Sequence, residues 1–156
     1  MKFNIVAVGN IKENYLNDGI CEYKKRISRF ADLNIIECKE FPPVSDGTAD
    51  TATALKNEAK AVLERLRGHV IALAIDGKEL SSPELSEYIS SKSVNGVSEF
   101  TFIIGGSDGL SGEVLSRADF LLSFGKATYP HRLMRLILCE QLYRAVAIIN
   151  KLPYHK

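Results

Sequence analysis

The stretch that decides the fold runs from Phe100 to Tyr129 and reads FTFIIGGSDGLSGEVLSRADFLLSFGKATY. Its first five residues, Phe100–Ile104, are an almost unbroken apolar run that stops abruptly at Gly105-Gly106. A run of this kind reads as a strand buried on both faces, since a half-buried strand alternates polar and apolar residues. Ser111–Arg117 has room for one short helix, and Phe120–Phe124 (FLLSF) is another buried strand. Strand, helix and strand in so short a span predict an α/β fold with a mainly parallel sheet and flanking helices.

Working outward in both directions extends the pattern. Lys2–Val8 (KFNIVAV), Leu33–Cys38 (LNIIEC) and His69–Ile75 (HVIALAI) read as further strands, the last ended by an Asp76-Gly77 turn. Between them, Asn14–Phe30 and Thr51–Leu66 repeat apolar residues at helical spacing. The stretch Phe41–Asp50, with Pro42-Pro43 and Asp46-Gly47, reads as a surface loop. Ser82-Pro83 supplies an N-cap and a first-turn proline for a helix to about Lys92. A long helix runs from Pro130 to about Lys151, with Pro153 closing it. Its apolar residues leave only a narrow polar strip, so it needs cover on more than one side, and a second subunit in a twofold dimer would supply it. No repeat or linker divides the 156 residues, which read as one domain, 1–156.

The composition excludes several classes. Hydrophobic residues make up 46% and charged residues 25%, the balance of a globular chain able to bury a core unaided. No apolar run approaches a membrane span, and the N-terminus lacks a signal-peptide core. Cys21, Cys38 and Cys139 are scattered, which fits reduced thiols in the cytoplasm rather than disulfides or zinc. His69, His131 and His155 have no metal-ligand spacing, so no metal is expected. The net charge of +1 hides an asymmetry. Residues 124–156 hold six Lys/Arg (Lys126, Arg132, Arg135, Arg144, Lys151, Lys156) against Glu140 alone, while the first 123 hold 14 against 18 acids. That places an expected anion-binding surface in the C-terminal fifth.

In open parallel sheets, ligands gather where the strands end. Three glycine-containing loops do so here: Ile75-Asp76-Gly77, Gly105–Gly109 and Phe124–Tyr129. Exposed main chain at such glycines suits close approach by a ligand. The chain has no GxGxxG in dinucleotide register, no GxxxxGK[ST], no GxSxG and no HExxH, so those nucleotide, hydrolase and metalloprotease chemistries lack support.

Taken together, IIGGSDG, LLSFGKATYPHRLMR, EQLYRA and the terminal LPYHK resemble the RlmH family of bacterial SPOUT methyltransferases, from the N-terminal VAVGNIKENY to the end of the chain. Departures fall at Gly125 and Ala127, where relatives commonly carry Ser and Met. The resemblance implies a SPOUT fold with a C-terminal trefoil knot, which general topology rules would not anticipate. It implies a homodimer using S-adenosylmethionine to methylate N3 of a pseudouridine in helix 69 of 23S rRNA, within the assembled 70S ribosome. Leu73, Gly105, Phe124, Gly125, Lys126, Ala127, Thr128 and Tyr129 match the family's cofactor-contacting positions. His155 and Tyr154 are candidates for removing the N3 proton, and Arg144 for stabilising the anion or holding a phosphate. His131 is expected to cap or pack at its helix start. Rival readings are a ribosome-associated factor that binds a nucleotide without turnover, and a dinucleotide-dependent oxidoreductase fragment.

Overall fold

The computed structural model describes residues 1–41 and 48–154. Pro42–Gly47 of the expected loop, together with His155 and Lys156, lie outside the described residues. The chain alternates as β1 (Lys2–Val8), α1 (Asn14–Ile27), β2 (Asp32–Cys38), α2 (Thr48–Leu63), β3 (His69–Glu79), α3 (Ser82–Val94), β4 (Glu99–Ile104), α4 (Gly112–Ser116), β5 (Phe120–Ser123) and α5 (His131–Ile149).

All four ladders are parallel, and the strand order is β2-β1-β4-β3-β5. Side-chain alternation along the strands builds two apolar layers. Phe3, Ile5 and Phe102 face one side with Ile20 and Ile27 of α1, Leu85 and Ile89 of α3, and Leu138 and Leu142 of α5. Val6, Val8 and Ile103 face the other side with Ala59 and Val62 of α2 and Val114 of α4. Burial on both faces explains why these strands read as continuous apolar runs.

Three expectations are corrected. Asp76-Gly77 does not turn the chain: β3 continues to Glu79. Its register shifts instead, so that Leu73 and then Lys78 pair with Leu122. Gly77 is there for close approach, since a Cβ would come within 2.8 Å of the Leu121 and Leu122 main chain. The N-cap of α3 is Ser81, not Ser82, in a capping box with Glu84. The chain also leaves α1 at Ile27 rather than Phe30, and α2 spans Thr48–Leu63 rather than Thr51–Leu66.

The apolar helix α5 packs beside α1 and α3. Leu138, Cys139, Leu142, Ala145, Val146 and Ala147 are buried, whereas Leu133, Leu136, Ile137, Ile148 and Ile149 remain partly exposed in the chain. Burial also raises the pKa of the Cys139 thiol to about 12, so it is inert packing.

Candidate active site

The ends of β3, β4 and β5 open onto a cleft of about 390 Å³. That volume lies in the range of small-molecule and cofactor sites, about 300–1,000 Å³. Its wall includes Leu73, Ala74 and Ile75, then Ile104–Leu110, then Leu122–Gly125 and Ala127–Tyr129, with His131 and Met134 from the first turns of α5. Seven of the eight expected cofactor positions therefore share one cleft: Leu73, Gly105, Phe124, Gly125, Ala127, Thr128 and Tyr129. Lys126 is exposed and off the wall.

Local geometry explains the glycines. The loop after β4 closes on itself through a Gly106–Gly109 bridge, with the Gly109 amide donating to the Gly106 carbonyl at 3.2 Å. A Cβ on Gly105 would lie 2.4 Å from the Gly109 carbonyl oxygen, so this glycine serves the closure of the loop rather than ligand room. Gly125 has φ +97° with open space where a Cβ would go. Its amide and carbonyl are both engaged by the Ser123 hydroxyl, at 3.1 and 3.3 Å.

Acidic groups edge the cleft near Gly106. Glu58 is buried and accepts from the Phe41 amide at 2.9 Å. Burial, with smaller contributions from Glu40 and Asp108, pushes its carboxyl above the usual range. Ser107 donates to Glu40 at 3.2 Å. Of these acids Asp108 stands on the cleft wall itself, where a carboxylate suits a cationic group on a ligand.

Two residues gain roles that the sequence did not assign. His131 sits at its helix start as expected, yet it also forms part of the cleft wall. Its buried Nε2 has no hydrogen-bond partner, and burial lowers its pKa, opposed by Glu40. Arg135, counted in the sequence as part of a basic surface, is wholly buried. It donates to the Val8 and Gly9 carbonyls at 2.8 and 2.6 Å and to Glu37 at 2.7 Å, pinning the start of α5 to the end of β1. Arg132 and Arg144 are likewise paired, with Glu13 at 2.9 Å and with Glu140. Three of the six cations expected at the surface of the C-terminal fifth are thus paired, while Lys126 and Lys151 stay exposed. No sequence signal distinguishes a buried arginine from an exposed one within an apolar helix.

Of the expected catalytic residues, Arg144 and Tyr154 do not join the cleft within one chain, and His155 lies outside the described residues. Arg144 and Tyr154 meet at the other end of α5, the Arg144 guanidinium 4.9 Å from the Tyr154 ring centroid. Glu140 gathers them, accepting from Arg144 Nε at 3.0 Å, Tyr154 at 3.2 Å and Gln141 at 2.7 Å. Tyr154 also stacks edge-on against Tyr143, with ring centroids 4.7 Å apart. Burial and hydrogen bonding with Tyr23 raise its phenol pKa. At 1.5 Å per helical residue, Arg144 lies about 20 Å along α5 from His131. Among the described residues, no group of His, Cys, Asp and Glu could hold a metal ion.

A parallel sheet whose strand-end loops build a glycine-rich cleft defines a class, and comparison identifies it. Residues 1–155 match the family described as "Predicted SPOUT methyltransferase". A solved structure, that of a probable methylase family protein from Haemophilus influenzae, shares the fold with TM-score 0.54 at 15% identity, covering 99% of this chain and 70% of that one. Ribosomal RNA large subunit methyltransferase H of Carboxydothermus hydrogenoformans is 54% identical, and its namesake in Clostridioides difficile 51%, each over 100% of both chains. The chain belongs to the SPOUT methyltransferases and, within them, to the RlmH family.

Proposed function

We propose that the protein is one domain, residues 1–156, that transfers the methyl group of S-adenosylmethionine to N3 of a pseudouridine in helix 69 of 23S rRNA. In this reading it acts in the cytoplasm as a homodimer on the assembled 70S ribosome, with its C-terminal half threaded as a trefoil knot. The observation that carries the reading is the single cleft formed by Leu73, Gly105, Phe124, Gly125, Ala127, Thr128 and Tyr129. The names of the full-length relatives, which specify large-subunit ribosomal RNA, support the substrate class.

The cleft fits the donor on chemical grounds: apolar walls suit an adenosine, exposed main chain at the glycines can hydrogen-bond it, and the acidic edge suits a sulfonium or ammonium. Lys126 stands beside the wall for a carboxylate. When bound, S-adenosylmethionine would supply an activated methyl group, taken by a nitrogen nucleophile through in-line attack on the methyl carbon as the C–S bond breaks and S-adenosylhomocysteine leaves. The protein holds the two reactants in attack geometry, an effect worth about 7–11 kcal/mol in well-oriented systems. It must also take the N3 proton, for which His155 and Tyr154 are the candidates, the raised phenol pKa of Tyr154 favouring His155, and stabilise the ring anion, which falls to Arg144. Because Arg144 and Tyr154 lie far from their own cleft, antiparallel packing of two α5 helices brings each tail to the partner's cleft. The partly exposed Leu133, Ile137 and Ile148 supply an apolar face for that packing.

The test offers labelled S-adenosylmethionine with intact 70S ribosomes, separated subunits and stripped RNA in parallel. Label is expected at one pseudouridine N3 in the intact ribosome. Cofactor binding without transfer to any RNA overturns the reading in favour of a binding factor.

A further inference from the structure

Pairing removes half of the positive charge that the sequence concentrates in the C-terminal fifth. Arg132, Arg135 and Arg144 are neutralised by Glu13, Glu37 and Glu140. The end of α1 shows the opposite. Residues 22–29 (EYKKRISR) hold four cations against Glu22 alone. Lys24, Lys25 and Arg29 are exposed and form no ion pair among the described residues. Arg26 is braced, bonded to Glu22 at 2.7 Å and lying 5.8 Å from the ring centroids of both Tyr23 and Tyr143.

One cation would complement the negative end of the α1 dipole. Three within six residues repel one another, and the one acid near them, Glu22, is already hydrogen-bonded to Arg26 while also drawing on Lys25. The two helices run the same way, since Glu13 meets Arg132, Gly19 abuts Leu136 and Tyr23 meets Tyr143. This cationic end therefore lies beside Tyr154, at the end of α5 away from the cleft.

We propose that the last turn of α1 and the turn that follows it, through Lys24, Lys25 and Arg29, form a surface that binds the phosphate backbone of the RNA substrate. The proposal rests on the reading of the protein as an RNA methyltransferase, and in the proposed dimer it places phosphates around the partner's cleft. The patch exposes no large apolar side chain, because Ile27 is fully buried and the exposed ones, such as Ile75 and Val94, lie elsewhere. Without apolar anchors it lacks the equipment of a membrane-inserting helix or of the apolar core of a protein interface. Cations alone suit phosphates, which position a nucleic acid without reading its sequence.

The test compares wild type with a Lys24→Gln, Lys25→Gln, Arg29→Gln triple variant in binding to purified 70S ribosomes across about 50 to 200 mM salt. The slope of log affinity against log salt is expected to be shallower by about 2 to 3, given about 0.7–0.9 per lost phosphate contact. At low salt, affinity should fall at least tenfold and KM for ribosomes rise in step. The kcat and the affinity for S-adenosylmethionine should stay within about twofold. A control triple, Lys56→Gln, Lys60→Gln and Lys78→Gln, removes equal charge elsewhere and should leave ribosome affinity near wild type. Wild-type affinity and slope in the α1 variant overturn the proposal, and so does an equal loss in the control. A loss confined to binding of vesicles containing anionic lipid, with ribosome binding intact, reassigns the face to membranes. If wild type methylates no RNA, the functional reading fails on its own, while the binding series still decides the surface.

Discussion

The two ends of α5 hold their polar groups in opposite ways. At the first turn the cleft presents glycines and the main chain around them, with the buried His131 Nε2 set behind the wall. At the far end Glu140 gathers Arg144, Gln141 and Tyr154 into one network. The first arrangement leaves hydrogen-bonding capacity for something that arrives. The second presents side chains already oriented, as a surface offered to another site. One helix thus separates a receptacle from a set of presented groups by about 20 Å or more. The proposed dimer reunites them.

Removing the tail breaks this division most sharply. Deleting Tyr154–Lys156 should leave cofactor affinity nearly unchanged and lower the urea midpoint modestly through the lost Tyr154 contacts, while lowering methyl transfer by about 10²–10⁴, the usual contribution of a positioned base. Mixing two inactive variants sharpens the result. Ala127→Trp fills the cleft from an exposed loop position, and His155→Ala disables the tail. Heterodimers should regain activity, because one of their two sites carries neither defect. Confirmed heterodimers that stay inactive, or a fully active tail deletion, would end the trans arrangement.

The next effect is on stability and concerns what anchors the receptive end. Arg135→Met leaves the Val8 and Gly9 carbonyls without their donor, at about 1–3 kcal/mol for each. Glu37 is partly exposed and can be resolvated, so it adds less. Urea unfolding checks this, and a change under about 0.5 kcal/mol would show that water or a neighbouring side chain replaces the guanidinium. An equivalent break at the presenting end, Glu140→Gln, should cost less because Gln keeps one acceptor oxygen and its partners are partly exposed to water.

Arg135 also shows where sequence reading stops. The strands were legible because burial on both faces writes continuous apolar runs, and the cleft because its glycine loops follow those runs directly. An arginine in a charge count defaults to the surface, and its true partners at the end of β1 are more than a hundred residues away. Asp76-Gly77 misled for a related reason. The dipeptide carries a turn signal, but Gly77 is required by the close approach of β5, a contact between elements distant in sequence. The approach of Arg144 and Tyr154 to Glu140 was half-visible in EQLYRA. Their distance from the cleft was visible only as helix length.

A pH series separates the ends through their titrating groups. His131 at the cleft and His69, bonded to Tyr88 at 2.6 Å beneath the sheet, both have pKa values lowered mainly by burial. Above the unfolded value of about 6.5 both states are neutral there, and these histidines add no pH dependence. As pH falls below it, the unfolded chain takes up protons that the folded chain refuses, so stability falls until the lowered folded values are reached. Urea midpoints should therefore drop from pH 7.5 to 5.5, and His131→Gln should reduce the drop without abolishing it. An identical pH profile in the variant would show that His131 is not buried in its neutral form.

The smallest expected effect tests whether the loop of the receptive end is strained or merely open. Gly125 adopts φ +97°, where an L side chain is disfavoured, yet a Cβ there meets nothing within 4 Å. Its neighbour contacts are main-chain bonds to the Ser123 hydroxyl, which a side chain at 125 does not remove. Gly125→Ser should therefore cost only the conformational penalty, about 1–2 kcal/mol. Affinity for S-adenosylmethionine should change by less than about threefold if the loop keeps its path, since the added atoms enter open space. A matched Gly105→Ala change should cost more, because its Cβ would strike the Gly109 carbonyl at 2.4 Å. Equal losses for the two variants would mean that close packing, not backbone conformation, governs both loops. No loss at Gly125 would mean that the loop relaxes to negative φ, and that its open path belongs to glycine rather than to the cleft.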